Sequence, residues 1–208
     1  RNFGFFSVEA GVGYLYDKVG MRDKASNFVL PRARVMFDLE RASFVPYIDF
    51  SSSVSQNGIS SLYGLNPYID YGVMSDELSK MANTLSYNLA LGFTGTLFSS
   101  RLSYHVYTGV NFMSNQLYWY VTTPGKFGVV TDNNNRLFVG AGAKYQPIAG
   151  LELGLDFNYH FDSNDSQYKL SEPVMRGALN VKYTLRDWEF YVNGKLIGKR
   201  EWSMLPTA

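Results

Sequence analysis

The sequence predicts an all-β fold, an antiparallel up-and-down transmembrane β-barrel of about nine or ten strands that forms part of a larger barrel. Three observations carry this expectation. Apolar residues recur with a period of two from one end of the chain to the other, charges fall only on the opposite face, and short connections alternate with long ones.

The composition narrows the field before any element is placed. The chain has 208 residues, 46% of them apolar, with 16 Tyr, 15 Phe and 3 Trp, a profile far from that of a disordered protein. Its 19 Lys and Arg against 18 Asp and Glu give a net charge of +1, so no basic field calls for nucleic acid. The absence of cysteine excludes a disulfide scaffold, a thiolate metal site and a Cys nucleophile. No run approaches the roughly 20 apolar residues of a membrane-spanning helix, a test that barrels evade. The chain opens at Arg1-Asn2-Phe3 without a leader signature, which reads as a processed product or a piece of a longer chain.

Taken in order, Phe6–Tyr16 is the first strand, with Phe6, Val8, Val12, Tyr14 and Tyr16 on one face and Ser7, Glu9, Gly11 and Gly13 on the other. Strands follow at 28–39, 44–54, 85–97, 102–112 and 137–145. The clearest is 151–162, where Leu151, Leu153, Leu155, Phe157, Tyr159 and Phe161 oppose Glu152, Gly154, Asp156, Asn158, His160 and Asp162. Strands at 174–183 and 188–196 complete the set. Tight connections are expected at Glu40-Arg41, Ser99-Ser100, 146–150 and Leu185-Arg186, and long exterior-type loops at 18–26, 56–84, 122–134 and 162–172, all within a single barrel region spanning 1–208 with no separate plug domain.

Alternation alone also fits a soluble sandwich or a lipocalin-like barrel. The membrane reading is favoured by the unequal connections, by aromatics near the stripe ends (Tyr14, Tyr16, Tyr145, Tyr183, Trp188) and by a polar face rich in Gly, Ser, Asn and paired charges. With the tight turns placed on the periplasmic side, the first and ninth strands both run outward. An odd count leaves edges that need a partner, because unpaired backbone groups are costly in lipid. An alternative splits the strand after Leu102 at Ser114-Asn115, making Leu117–Val121 a tenth strand and closing a small barrel.

Around Val45-Pro46-Tyr47-Ile48-Asp49-Phe50, Gly58, Leu62 and Leu65-Asn66-Pro67-Tyr68-Ile69, the sequence resembles the TonB-dependent-receptor-like outer-membrane barrels of the Bacteroidetes. Tyr118-Trp119-Tyr120 and the segment from Asn193 to Arg200 add to the likeness. The resemblance implies the outer membrane of a Gram-negative bacterium, a barrel architecture and, more loosely, transport. The family's plug and its closing strand have no counterpart within 1–208.

No catalytic site is expected. His105 has Ser103 on its face and His160 shares one with Asp156 and Asp162, yet no nucleophile elbow or metal-binding helix motif accompanies them, and both read as hydrogen-bonding groups. Asp162, Asn164 and Asp165 read as a solvated turn rather than a calcium site, and Asp132 to Asn135 as a turn. No metal or cofactor is expected. The lumen-lining candidates are Glu9, Arg32, Arg34, Asp38, Asp49, His105, Arg136, Lys144, Asp156, His160, Arg176, Lys182 and Glu189. Such charges either set a transverse field in a pore or pair with one another. Two functions follow: a porin- or receptor-like barrel passing or importing small solutes, or a non-transporting barrel acting as a scaffold subunit. The expected partners are the lipid bilayer, a plug domain and other outer-membrane or lipoprotein subunits. For the scaffold, the 56–84 loop with Leu62, Tyr63, Leu65 and Tyr68 is the candidate docking surface.

Overall fold

A computed structural model describes residues 5–18, 26–37, 43–70, 81–163, 172–200 and 203–204. Among them nine strands run consecutively and antiparallel in one sheet: β1 (Phe6–Asp17), β2 (Ser26–Phe37), β3 (Val45–Ser55), then α1 (Ile59–Leu65), β4 (Thr84–Leu97), β5 (Leu102–Thr123), β6 (Lys126–Tyr145), β7 (Leu151–Asp162), β8 (Met175–Leu185) and β9 (Trp188–Ile197). A short β10 (Ser203–Met204) returns to pair in parallel with Tyr120 and Val121 of β5. Asp38, Glu40, Arg41, Asn164 and Asp165 lie outside the described residues, as does most of the expected 18–26 and 162–172 loops.

The register puts every apolar stripe on the same side of the sheet. Ile48 faces Leu91, Leu89 faces Val110, Val139 faces Tyr159, and Leu155 faces Leu179. These side chains stay exposed, Leu91 at 51%, Leu155 at 56% and Val192 at 65%, so the apolar face has no cover among the described residues. An uncovered apolar face of this breadth demands an apolar surrounding. Phe44 against Phe93 and Phe50 against Tyr87 add ring contacts between strands on this side.

At one end the connections are tight. Phe98, Ser99 and Ser100 take successive positive φ values of 52°, 54° and 69°, and the Arg101 N–H closes the turn on the Phe98 carbonyl at 3.2 Å. The β8–β9 turn centres on Arg186-Asp187 rather than on Leu185-Arg186, because Leu185 still pairs with Trp188.

At the other end the structure departs from the sequence expectation. Residues 122–134 are not a long loop. β5 and β6 continue pairing until Thr123 meets Lys126, and only Pro124-Gly125 turns, with Gly125 at φ +83°. Nor does Leu117–Val121 form a separate strand: a bulge between Met113 and Gln116, with Asn115 at φ 55°, keeps β5 continuous. The Asp132 to Asn135 run therefore lies in β6, where its amides become ladder members instead of turn residues. At about 3.3 Å per residue, 22-residue β5 is some 70 Å long, roughly twice the 9–11 residues a tilted spanning strand needs. β4 accompanies it only to Ser114 and β7 accompanies β6 only to Arg136, so the rest of the hairpin projects beyond both of these strands.

That projecting hairpin holds the apolar core. α1 begins where the Gly58 N–H donates to Ser61 Oγ at 3.0 Å. It buries Leu62, 0% exposed, with Ile69, Met81, Tyr120 and Val129. The segment after α1 then pairs with the hairpin edge: the Asp70 N–H donates to the Phe127 carbonyl and the Phe127 N–H to the Tyr68 carbonyl, both at 2.9 Å. Beside this core, Asn83 donates to Asp17 at 2.5 Å, and Asn57 donates to the Ala82 carbonyl and to Thr84 Oγ1 at 2.8 and 2.9 Å. Buried amides with partners are stable where unpartnered ones are not.

Candidate functional site

The polar face of the sheet gathers the sequence-predicted site residues. Glu9 on β1 is the register partner of Arg34 on β2, and Arg32 that of Gly11. Arg34 lies 3.6 Å from Asp49 on β3 and 4.9 Å from the centre of the Tyr47 ring. Farther along the sheet, Arg136 on β6 contacts Asp162 at 2.8 Å and Glu172 at 3.0 Å, forming the best-shielded ion-pair group described. Lys182 and Glu189 pair at 3.1 Å across β8 and β9 in a more exposed setting. Asp156, His160 and Arg176 share this face on β7 and β8, and Lys144 stands opposite Ser103 and Gly154. Asp38 lies outside the described residues.

Aromatic rings on this face lie over glycines of the next strand. Tyr47 is opposite Gly92, Tyr107 opposite Gly140, and His105 opposite Gly142, and a Cβ at any of these glycines would collide with the ring. Tyr107 reaches across Gly140 to donate a hydrogen bond to Asn158 Oδ1. His105 stacks on Tyr107 with ring planes 12° apart.

Among the described residues, cavities open along this face, three of them bordered by charged side chains of the wall and its loops. One of about 500 Å³ lies between α1 and the wall, lined by Asn57, Leu65, Gln116 and Trp119 together with Glu172 and Arg200. A second, about 350 Å³, is bordered by Asn111, Arg136, Asn158, His160 and Arg176. The third, about 470 Å³, is bordered by Asp156, Arg176, Lys195 and Arg200. Trp119, Glu172, Lys195 and Arg200 are absent from the sequence-derived candidates. An alternation rule finds Lys195 by its face, but it has no means of placing loop residues or of continuing β5 past its bulge to Trp119. Among the described residues no group of three or more His, Asp or Glu is placed to hold a metal ion.

A meander of antiparallel strands, apolar and uncovered on one side, polar and cavity-bearing on the other, tight-turned at one end and capped by folded loops at the other, defines the wall of an outer-membrane β-barrel. The sequence matches no family model and no curated protein. Solved structures match its fold. The alcaligin outer-membrane receptor FauA of Bordetella pertussis aligns with 95% of this chain at 11% identity and a TM-score of 0.60. The copper transporter OprC aligns with 84% at 14% identity and 0.59, and the pyoverdine receptor FpvA of Pseudomonas aeruginosa PAO1 with 79% at 13% identity and 0.52. The chain spans 27% of OprC, 35% of FauA and 24% of FpvA. At these identities the likeness is one of fold. The outer-membrane barrel fold expected from the sequence is matched, whereas the receptor-like and Bacteroidetes affinities rest on the motifs alone.

Proposed function

We propose that this chain forms part of the wall of a receptor- or porin-like barrel in the outer membrane of a Gram-negative bacterium, its polar face lining a lumen that passes or imports small solutes. The observation that carries the reading is the complete segregation of faces over nine strands: an apolar side with no cover, and a polar side whose cavities lie in sequence beneath a loop-capped mouth. A lipid bilayer is the partner of the apolar face, and a plug domain or neighbouring outer-membrane or lipoprotein subunit is the partner of the strand edges and the mouth. The test is reconstitution of the full-length protein into phosphatidylcholine liposomes, with solute flux and solute binding measured together. Flux or saturable binding of a small solute supports the reading; a folded protein with neither overturns it.

One observation favours the scaffold reading as a second role. Tyr63, Leu65 and Tyr68 protrude from the cap, 49%, 68% and 66% exposed, whereas Leu62 is buried and drops out of the docking surface expected from sequence. Co-purification of a stoichiometric partner that is lost in Tyr63→Ser/Tyr68→Ser supports this role, and isolation of the protein always alone removes it.

A further inference from the structure

We infer that Arg176 and Lys195, with Asn158 and His160 beside them, form a subsite for the oxyanion group of a small solute, a carboxylate or a phosphate. The inference rests on the lumen reading above and names what that lumen holds.

The cations of the polar face divide into two kinds. Arg34, Arg136 and Lys182 each have a carboxylate partner within 4 Å. Arg176, Lys195, Arg32 and Lys144 have none among the described residues, and of these four Arg176 and Lys195 border the cavities described above. Arg176 stands between two cavities and borders both, as does Asn158, its register partner on β7. In the cavity on the β9 side, three cations (Arg176, Lys195 and Arg200) meet a single carboxylate, Asp156. A cationic ligand would find net repulsion there, and an anion finds net attraction in a recess walled by low-dielectric protein. Guanidinium and ammonium groups together suit an oxyanion, the first by paired N–H donors and the second as a point charge.

A second observation comes from the cavity on the other side of Arg176. His160 Nε2 and Asn111 Oδ1 are both buried and have no hydrogen-bond partner. Buried polar atoms of this kind are rare and carry a desolvation penalty until something pairs with them. His160 Nε2 donates to an oxyanion when it carries the proton, and Asn111 Oδ1 accepts from a ligand hydroxyl. The nearby acids do not compete, because Asp162 and Glu172 are both engaged by Arg136. The mouth cavity shares Arg200 with one of these recesses and Glu172 with the other, so the three lie side by side along the polar face.

The experiment is calorimetric titration of the detergent-solubilised full-length protein with inorganic phosphate and, separately, with succinate. Saturable binding of at least one is expected, weakened about tenfold in Arg176→Gln and in Lys195→Gln, as loss of a charge-assisted hydrogen bond predicts. Arg101→Gln, exposed at the tight turn between β4 and β5 and outside these cavities, retains wild-type affinity. Lys195 is on an edge strand and tolerates substitution, which covers the case of a misfolded Arg176 variant. Phosphate alone, succinate alone or both binding each assigns the oxyanion class. Absence of saturable binding by the wild type, or equal weakening in Arg101→Gln, overturns the subsite. Solute flux without anion binding removes the subsite and leaves the lumen reading standing; a folded protein with neither flux nor binding of any solute overturns both.

Discussion

Gly140 shows what a single residue contributes to this wall. Its missing side chain makes room for the Tyr107 ring, and that ring passes over it to reach Asn158, so three strands are tied together at one point. Gly140→Val is expected to expel the ring and destabilise the folded protein by about 1–3 kcal/mol, read as a lower midpoint in urea unfolding from detergent or vesicles. Arg136 is the electrostatic counterpart. Its removal in Arg136→Gln leaves Asp162 and Glu172 facing each other without a cation, and a loss of about 1–3 kcal/mol is expected, the partial exposure of Glu172 holding the figure below that of a fully buried pair. Asp162→Asn placed on that background restores part of the loss, which a double-mutant cycle measures. At this scale the sequence reveals which face each charge occupies, since alternation determines that directly. It conceals the ring-on-glycine pairs, because they depend on cross-strand register, and register is set by turns whose geometry alternation does not encode.

Among the elements, β5 and β6 were legible only in their lower halves. The stripe from Leu102 to Phe112 and that from Leu137 to Tyr145 alternate cleanly. Above them Asn115 bulges the ladder, and four consecutive polar residues from Asp132 to Asn135 imitate a turn. What keeps this region in strand is tertiary: Asn134, 1% exposed, donates to Asp162 at 2.9 Å, and the Asn115 N–H donates to Asn133 Oδ1 at 3.3 Å. α1 was equally hidden, being only seven residues long and stabilised by what Leu62 covers rather than by helix propensity. Leu62→Ala is expected to remove about 2–5 kcal/mol from the cap without unfolding the sheet. Limited proteolysis checks this: cleavage within 56–70 accelerates while strand content by circular dichroism is unchanged. Equal protection of variant and wild type would show that the cap is held by other contacts.

For the whole molecule, the two faces set the tolerance to charge. Leu155, midway along β7 on the apolar side, and Ser53, exposed on the polar side of β3, offer a matched comparison. Leu155→Arg is expected to cost about 2–4 kcal/mol when folding is measured in phosphatidylcholine vesicles, and Ser53→Arg about 0–1 kcal/mol. Equal costs would contradict a bilayer on the apolar side. This division of faces was the most readable property of the sequence, because it repeats in every strand and needs no knowledge of the loops. The cavities were not readable, since each is bordered by residues from the wall and from loop or terminal segments such as Glu172 and Arg200.

The rings seated on Gly92, Gly140 and Gly142 have one more effect, on the relief of the polar face. A side chain that stands upright from a strand projects by its full length, whereas a ring laid along the wall projects by little more than its thickness. Recesses on β4 and β6 thus let the sheet carry bulky aromatic side chains while keeping its polar face low, and filling a recess would swing a ring out from the wall.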